Sequence, residues 1–359
     1  MPKLFIPGPV NVGDDVLEAM GTPVIPHRGK GFEELYSRVQ DKLRKVLYTK
    51  NPVFLSTSAA TGLWESFARN CCAKKALVTM CGAFSDRWYD VFKLNGKQAD
   101  KLQVEWGKAV TADMIGSALK KGGYDCLAMV HNETSTGVMH NLEEVSKVMK
   151  DFPDVVWGVD AVSSLTGVKV EVDRLGIDFI LASVQKCFGM PPGFAVSPVS
   201  EKAFERAKTV ENRGYYFDLL AMKESHVKNQ TVYTPSVSHL FAMDKQLDKM
   251  LAEGLDKRFA RHREMADFVR GWVRKSGLGI FPQEGYWSDT LTVVANTKGI
   301  DVGELNKFLK AEKDAQLADG YSKLKGKTFR IPHMADLTMA DMRDITSWIE
   351  EGAKKQGKW

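Results

Sequence analysis

The sequence lacks the features that mark disulfide-rich, zinc-binding or membrane-spanning proteins. Its 359 residues include five cysteines, an odd number, and no two of them have the CxxC spacing. These thiols predict a reducing compartment, with neither a disulfide framework nor a metal site. No apolar run approaches the length of a membrane span, and the N-terminal stretch is too short and proline-rich for a signal peptide. We therefore expect a cytoplasmic protein with no membrane contact.

Two glycine-rich phosphate motifs are also missing. The chain has no GxxxxGK[ST] P-loop and no GxGxxG fingerprint, and the second absence counts against a nicotinamide-dependent oxidoreductase. The net charge is only +5 and the basic residues are spread along the chain, so no nucleic-acid partner is expected. A hydrophobic content of 44% is ordinary for a globular chain of this length, which is long enough for two domains.

What the sequence does contain is an apolar stretch that ends in a lysine. Residues 178–186 read as a buried strand, Lys186 is its last residue, and a turn rich in glycine and proline follows. A lysine is costly to bury unless its charge is paired or lost. One use for such an amine is a Schiff base with a carbonyl cofactor. The alternative is a lysine that reaches the surface from the end of a strand.

Five apolar segments, at about 51–55, 76–80, 126–130, 155–159 and 178–186, alternate with helical segments. Each is followed by polar or small residues, which is typical of a mostly parallel sheet with a ligand site along its carboxyl edge. Asp160 follows the fourth segment, where it is either a functional carboxylate or a helix N-cap. Residues 58–62 are small and precede a helix. Either their N–H groups bind an anion, or their small side chains only allow close packing. Phe84 follows the second segment and is either a platform for a flat ligand or a core aromatic.

The C-terminal part reads as a smaller α+β unit. Residues 237–275 have helical spacing with possible breaks at Gly254 and Gly271, and strands are predicted at 289–295 and 327–331. The second of these strands carries Arg330, which is either an exposed strand residue or a clamp for a substrate carboxylate. Residues 1–31 and 211–235 are predicted to be irregular.

Five short segments, in their sequence and in their order along the chain, resemble segments of the class V aminotransferases of the fold-type I pyridoxal-phosphate (PLP) enzymes. They are Ser58–Gly62, His131–Gly137, Val159–Ser164, Ser183–Lys186 and Phe329–Ile331. The resemblance covers nearly the whole chain. It implies an α/β fold with a large domain built on a mostly parallel seven-stranded sheet and a smaller α+β C-terminal domain. The expected boundaries are an N-terminal segment at 1–20 that packs with the small domain, a PLP-binding domain at 21–250 and a small domain at 251–359.

The resemblance also implies roles for individual residues. Lys186 would carry the cofactor, Asp160 would pair with its ring nitrogen, Phe84 would stack on the ring, and Arg330 would bind the substrate carboxylate. The other cofactor contacts would come from Ala59, Ala60, Thr61, Thr134, Gln185, Asn229 and Thr231. In the family, the segment matching Asn229 and Thr231 reaches the partner's cofactor, which implies a homodimer with shared sites. Alanines stand at 59 and 60 where the family often has glycine, and Phe84 replaces the commoner tryptophan. Because no cysteine follows Cys187, a cysteine desulfurase is not expected.

The expected reaction is ping-pong transamination between a small amino acid and a 2-oxo acid. His27 and Arg28 resemble the loop with which phosphoserine aminotransferases hold the substrate phosphate across the dimer. This favours phosphoserine and 3-phosphohydroxypyruvate, with glutamate and 2-oxoglutarate, in serine biosynthesis. However, the His-Arg pair that those enzymes carry before the carboxylate arginine is absent, and His333 is a candidate to replace it.

Serine or alanine:glyoxylate (pyruvate) transamination is the alternative. A PLP-fold binding protein without activity is a further one, which the complete set of Lys186, Asp160 and Arg330 argues against.

Overall fold

The computed structural model describes residues 2–359 and contains two main β-sheets with helices packed against them. The strands are β1 (Lys3–Phe5), β2 (Val53–Ser56), β3 (Lys75–Met80), β4 (Gln98–Gln103), β5 (Cys126–Val130), β6 (Asn132–Glu133), β7 (Val138–Met139), β8 (Val156–Asp160), β9 (Phe179–Ser183), β10 (Ala195–Pro198), β11 (Gly279–Ile280), β12 (Leu291–Ala295), β13 (Ala315–Asp319) and β14 (Thr328–Pro332). The helices are α1 (Asp14–Met20), α2 (Lys30–Val46), α3 (Ala60–Cys71), α4 (Ala83–Leu94), α5 (Ala112–Leu119), α6 (Leu142–Met149), α7 (Val172–Leu175), α8 (Glu201–Lys208), α9 (Leu219–His226), α10 (Val237–Glu253), α11 (Leu255–Lys275), α12 (Val302–Lys313) and α13 (Met339–Lys355).

The larger sheet has seven strands in the order β2-β10-β9-β8-β5-β3-β4. β4, β3, β5, β8 and β9 pair in parallel, and only β10 runs antiparallel, to both β9 and β2. This confirms the mostly parallel seven-stranded sheet. Because β2, β3, β5, β8 and β9 all point the same way, the residues that follow them meet along one edge.

Helices cover both faces of this sheet, which explains why its strands are continuously apolar rather than alternating. In β9, Ile180 packs in a core cluster with α2, α5, α6 and α10, whereas Phe179 packs in a second cluster with α3, α4 and α8. The second cluster is tight at Gly158 of β8. A Cβ at Gly158 would lie 2.4 Å from the ring of Phe67. Any larger residue at this position would therefore prevent α3 from packing this closely on β8.

The smaller sheet has the order β1-β13-β14-β12-β11, so the first strand of the chain pairs with strands from its last third. The chain changes direction between α10 and α11 at Gly254, where a φ of +84° favours glycine. The expected break there is confirmed, whereas the possible break at Gly271 is wrong because this residue lies inside α11. The domain boundaries after residues 20 and 250 stay a prediction.

Several elements differ from the sequence-based expectation, among them β1 and α1, which lie within residues 1–31 that were predicted to be irregular. β4 was not predicted because it is an edge strand of mixed polarity, and α9 lies within the stretch expected to be a loop, where Asp218 caps it. β9 ends at Ser183. Lys186 therefore lies in the turn beyond the strand and is not, as the sequence had predicted, the last residue of the strand. No helix within residues 2–359 is long and apolar enough to cross a membrane.

Candidate active site

A cavity of about 210 Å³ opens at the carboxyl edge of the large sheet, where the predicted residues converge. We call it the cofactor cavity. The residues lining it follow β2, β3, β5, β8 and β9, as the parallel strand order requires. Those that were predicted as site residues are Ala59, Ala60, Thr61, Phe84, Thr134, Asp160, Gln185 and Lys186.

Lys186 is buried, with 8% of its surface exposed, and its Nζ donates to the hydroxyls of Thr134 at 2.8 Å and Ser163 at 2.7 Å. Burial lowers the pKa of Lys186 to about 8, against the opposing attraction of the Asp160 carboxylate. A substantial fraction of the amine is therefore neutral near pH 7 to 8. A neutral amine held by two hydroxyls is suited to nucleophilic attack and to proton transfer.

Asp160 is the last residue of β8 and is also buried. One carboxylate oxygen accepts from the indole N–H of Trp64 at 2.7 Å, and the other accepts from the backbone N–H of Val162 at 2.8 Å. Burial raises the pKa of Asp160 to about 6. Within residues 2–359 Asp160 makes no ion pair with a protein cation. Its buried carboxylate faces the cavity and is ready to pair with a cation that enters it. Lys186, Asp160, Thr134 and Ser163 together are called the sheet-edge cluster below.

Phe84 forms one wall, with its ring centroid 5.2 Å from the Lys186 Nζ. The buried carboxylate of Glu133 fixes this wall, since it accepts from the backbone N–H groups of Phe84 at 3.3 Å and Ser85 at 3.0 Å. Placing a carboxylate at the first turn of α4 is also favourable for the helix dipole.

The first turn of α3 supplies unpaired backbone donors. Ala59 precedes the helix and provides no capping side chain, and within residues 2–359 the N–H groups of Ala60 and Thr61 have no hydrogen-bond acceptor. The side-chain oxygen of Gln185 lines the same cavity and is likewise buried without a partner. A helix N-terminus with free N–H groups is suited to bind a phosphate, and the orphaned amide oxygen marks a further place for a ligand donor.

A second cavity of about 390 Å³ adjoins the first and shares Phe84, Thr134 and Lys186 with it. Arg330 of β14 reaches this cavity from the small sheet, and its Nε donates to the backbone oxygen of Asp319 at 3.0 Å. Burial lowers the pKa of Arg330 to about 10, which leaves it charged at neutral pH. Among residues 2–359 its two terminal nitrogens have no hydrogen-bond acceptor, so the guanidinium fork is free to bind a carboxylate. We call this second space the substrate cavity.

The family model for class V aminotransferases matches residues 17–323. The chain belongs to this family. It is similar to an uncharacterized aminotransferase of Methanocaldococcus jannaschii, at 36% identity over 99% of this chain and 93% of the relative. It is also similar to an L-aspartate–glyoxylate aminotransferase of Paracoccus denitrificans, at 31% identity over 94% and 87% of the two chains.

Solved structures give the same family and fold. An alanine–glyoxylate aminotransferase from a Nostoc species matches with a TM-score of 0.92 at 25% identity, over 98% of this chain and 95% of the other. A phosphoserine aminotransferase from Cytophaga hutchinsonii matches with a TM-score of 0.88 at 28% identity, over 98% of each chain. The protein is therefore a PLP-dependent transaminase that acts on amino-acid and 2-oxo-acid substrates.

The residues of this aminotransferase fit its cofactor. The cavity offers an amine at Lys186, a carboxylate at Asp160 without a cationic partner, an aromatic wall at Phe84 and free N–H groups at the start of α3. These four groups match the aldehyde, ring nitrogen, ring face and phosphate of PLP.

Some predicted residues do not reach the cofactor cavity of their own chain. Arg28 is exposed, and its terminal nitrogens donate to the backbone oxygens of Thr231 at 2.6 Å and Val232 at 3.0 Å. We call Arg28, Gln230, Thr231 and Val232 the surface cluster. The neighbouring predictions His27 and Asn229 lie beside it in the chain, and neither lines the cofactor cavity or the substrate cavity.

His333 needs correction. Its ring is fully buried in the small unit, where the two nitrogens contact the Thr292 hydroxyl at 3.0 Å and the backbone oxygen of Asp289 at 2.9 Å. Burial lowers the pKa of His333 well below its usual value, so it stays neutral. Both ring nitrogens are occupied and His333 lines neither the cofactor cavity nor the substrate cavity, so the ring has no free nitrogen with which to replace a phosphate-binding His-Arg pair.

Sequence reasoning missed five residues that contact the predicted ones. Ser163 was inside a recognised motif, but nothing in the sequence indicated that its hydroxyl meets Lys186. Trp64 and Arg87 lie one helical turn after Thr61 and Phe84, so helical spacing could have found them, whereas Gly8 and Tyr321 come from distant segments that only folding places at the site.

Proposed function

We propose that this aminotransferase transfers the amino group of a small amino acid to glyoxylate or to a 2-oxo acid of similar size. The observation that carries the proposal is that Lys186 and the free guanidinium of Arg330 face the same substrate cavity, with the Phe84 ring between the two cavities. An amino acid held at Arg330 by its carboxylate presents its α-carbon toward Lys186.

When bound, PLP supplies an electron-withdrawing ring that makes the α-proton of the amino acid acidic. Lys186 Nζ would take that proton from the α-carbon as a base and then deliver it, as an acid, to the C4′ carbon of the cofactor. The hydroxyls of Thr134 and Ser163 keep the amine oriented for both transfers. Asp160 would hold the ring nitrogen of the cofactor, and the positive charge there would offset the burial that raises the pKa of Asp160 and keep its carboxylate ionised.

A backbone segment close to Lys186 supports a small substrate. Gly8 has a φ of +125°, and a Cβ on it would lie 2.9 Å from the Lys186 Cγ. Because Pro7 and Gly8 also line the substrate cavity beside Lys186, we expect a bulky group on the reacting carbon to meet this backbone. Glyoxylate, which has no side chain, avoids that contact.

Phosphoserine, the substrate first expected, has weaker support than glyoxylate. The L-aspartate–glyoxylate aminotransferase is 31% identical to this chain, against 28% for the phosphoserine aminotransferase, and the residues expected to bind a phosphate are either occupied or distant. Arg28 is bonded to the surface cluster, and His333 is enclosed in the small unit. We therefore place glyoxylate ahead of 3-phosphohydroxypyruvate as the acceptor, and the amino donor stays open between neutral and acidic amino acids.

We also propose that the enzyme is a cytoplasmic homodimer with shared sites. In the surface cluster Arg28 is exposed and the other three residues are half-buried, and none of them lines the cofactor cavity, while the nearby Tyr215 and Val227 expose 83% and 72% of their surfaces. Large exposed apolar side chains are typical of an interface. Such an interface would carry Thr231 to the partner's cofactor phosphate. The five cysteines are all free and buried, which suits a reducing compartment.

The substrate is tested by measuring half-reactions of the PLP form with serine, alanine and phosphoserine, and of the aminated form with glyoxylate, pyruvate, 2-oxoglutarate and 3-phosphohydroxypyruvate. We expect the largest kcat/KM among the acceptors for glyoxylate. Faster reaction of 3-phosphohydroxypyruvate, together with a loss for that acceptor alone in Arg28→Ala, would restore the phosphoserine assignment.

A further inference from the structure

A second arginine lies at the mouth of the site, and neither the family resemblance nor the transamination chemistry assigns it a role. Arg87 of α4 is exposed and lines the cofactor cavity, and its Cζ lies 5.3 Å from the centroid of the Phe84 ring. One terminal nitrogen donates to the hydroxyl of Tyr321 at 2.9 Å. Within residues 2–359 Arg87 makes no ion pair, so most of its donors remain available to a ligand.

Tyr321 connects this arginine to the carboxylate-binding one. Its ring lies 5.1 Å from the Phe84 ring and 5.5 Å from the Arg330 Cζ, while its hydroxyl holds Arg87. Two guanidinium groups therefore flank one tyrosine: Arg330 lines the substrate cavity, whereas Arg87 is exposed and lines the adjoining cofactor cavity. A ligand held at Arg330 by one carboxylate would have to pass Tyr321 to reach Arg87.

We infer that Arg87 binds an acidic side chain of the amino donor, so that the preferred donor carries two anionic groups. The α-carboxylate of that donor binds Arg330 and its side-chain carboxylate or phosphoryl group binds Arg87. This inference rests on the proposed function, since it names the donor class of the same site. It is compatible with a small 2-oxo acid as acceptor, because the two substrates occupy the site in turn.

The position of Arg87 favours a substrate contact over a structural one. An arginine that holds the fold together is usually enclosed by several carbonyl or carboxylate acceptors, as Arg258 is by Thr166, Cys187 and Glu253. Arg87 instead has one neutral acceptor, the Tyr321 hydroxyl, and an aromatic face beside it. Both neighbours orient the guanidinium without neutralising its charge.

The test uses the PLP-loaded enzyme and follows the loss of its visible absorbance on mixing with single amino acids, with no 2-oxo acid present. Aspartate, glutamate and phosphoserine are compared with alanine and serine. We expect at least one acidic donor to react faster than both neutral donors. In Arg87→Ala the ratio of its kcat/KM to that of alanine should fall about tenfold to a hundredfold, as loss of a hydrogen bond to a charged group implies. The acidic donor with the largest fall identifies a carboxylate or a phosphoryl group as the ligand of Arg87.

Three further variants make the outcome specific. Arg87→Lys retains the charge without the planar fork and should give an intermediate ratio, and Tyr321→Phe should lower the ratio less than Arg87→Ala. Lys93→Ala removes an exposed cation from the same helix and should leave the ratio unchanged. Equal losses for acidic and neutral donors in Arg87→Ala would overturn the inference, as would a wild-type enzyme that prefers neutral donors. Because no acceptor is present, failure of glyoxylate as a substrate would contradict the proposed function and leave this result intact.

Discussion

The sheet-edge cluster and the surface cluster differ in what they can do inside one chain. In the first, Lys186 and Asp160 are buried and held by hydroxyl, indole and backbone groups, and both face the cofactor cavity. In the second, Arg28 and Thr231 are bonded to each other at the surface and line neither the cofactor cavity nor the substrate cavity. The comparison teaches that one chain contains the chemical groups of the reaction, whereas the residues expected to complete phosphate binding line neither cavity of their own chain and would act only in the proposed dimer.

The strongest test of the buried side of this comparison is Lys186→Ala. We expect transamination to fall by at least about 10⁴-fold, because nucleophile and proton carrier are lost together. The measurement is single-turnover reaction with the best donor, alongside the visible absorbance of the cofactor-loaded protein. Lys121→Ala removes an exposed lysine and should behave as wild type. Turnover near the wild-type rate in Lys186→Ala, with native circular dichroism, would contradict the central role of this residue.

Asp160→Asn separates the electrostatic role of the sheet-edge cluster from its packing. The amide retains an oxygen that can accept from Trp64 but loses the charge that pairs with the ring nitrogen, so turnover should fall by about two to four powers of ten. Without cofactor, lowering the pH from 7.5 to 5 should stabilise wild type relative to the variant, because only wild type has the buried carboxylate whose pKa is raised to about 6, while the variant lacks an acceptor for the Val162 N–H at every pH. Urea unfolding and single-turnover rates measure the two effects. A rate loss under tenfold would make Asp160 a structural cap.

The surface cluster is tested through subunit exchange. In Thr231→Val the cofactor should bind about tenfold to a hundredfold more weakly, as expected for loss of one hydrogen bond to a charged phosphate. The subunits of this variant are then mixed with subunits of Lys186→Ala. If the sites are shared, each hybrid dimer contains one site with both native residues, and activity returns at low cofactor concentration.

If each site were built from one chain, every site in the hybrid would carry a lesion and no activity would return. A fully active monomer in sedimentation experiments would equally exclude the shared site. Either result would mean that the surface cluster lies outside both cavities for a reason other than a role in the partner's site.

The smallest expected effect concerns pH and the buried histidine beside the site. Burial lowers the pKa of His131 to about 3, and its ring contacts the Ser164 hydroxyl at 2.8 Å. The unfolded chain binds this proton near pH 6.5 and the folded chain does not, so stability is complete above pH 6.5 and declines as the pH falls toward 3. Between pH 7.5 and 5.5 the contribution is about 1.4 kcal/mol. In His131→Asn, the decrease in unfolding free energy over this interval should be smaller by that amount, and an unchanged decrease would contradict the assignment.

The sequence by itself determined the fold class and most of the buried half of the site. Continuous apolar strands such as β5 alternating with helices require a sheet covered on both faces, and a parallel sheet brings the residues after its strands to one edge. The placement of Lys186, Asp160 and Phe84 at one cavity follows from that rule. The local sequence pattern also located Gly254 as the end of a helix, because the backbone conformation there depends on the glycine and on its neighbours in the chain.

Tertiary structure alone decided which distant groups meet those residues and which predicted residues do not. Gly8 near the N-terminus and Tyr321 in the last third reach the site through packing between elements, and neither spacing nor composition encodes such contacts. The same applies to His333, whose sequence position next to Arg330 suggested a shared role. Arg330 lies within β14 and lines the substrate cavity, whereas His333 follows the last residue of that strand and its ring is enclosed in the interior between Thr292 and Asp289.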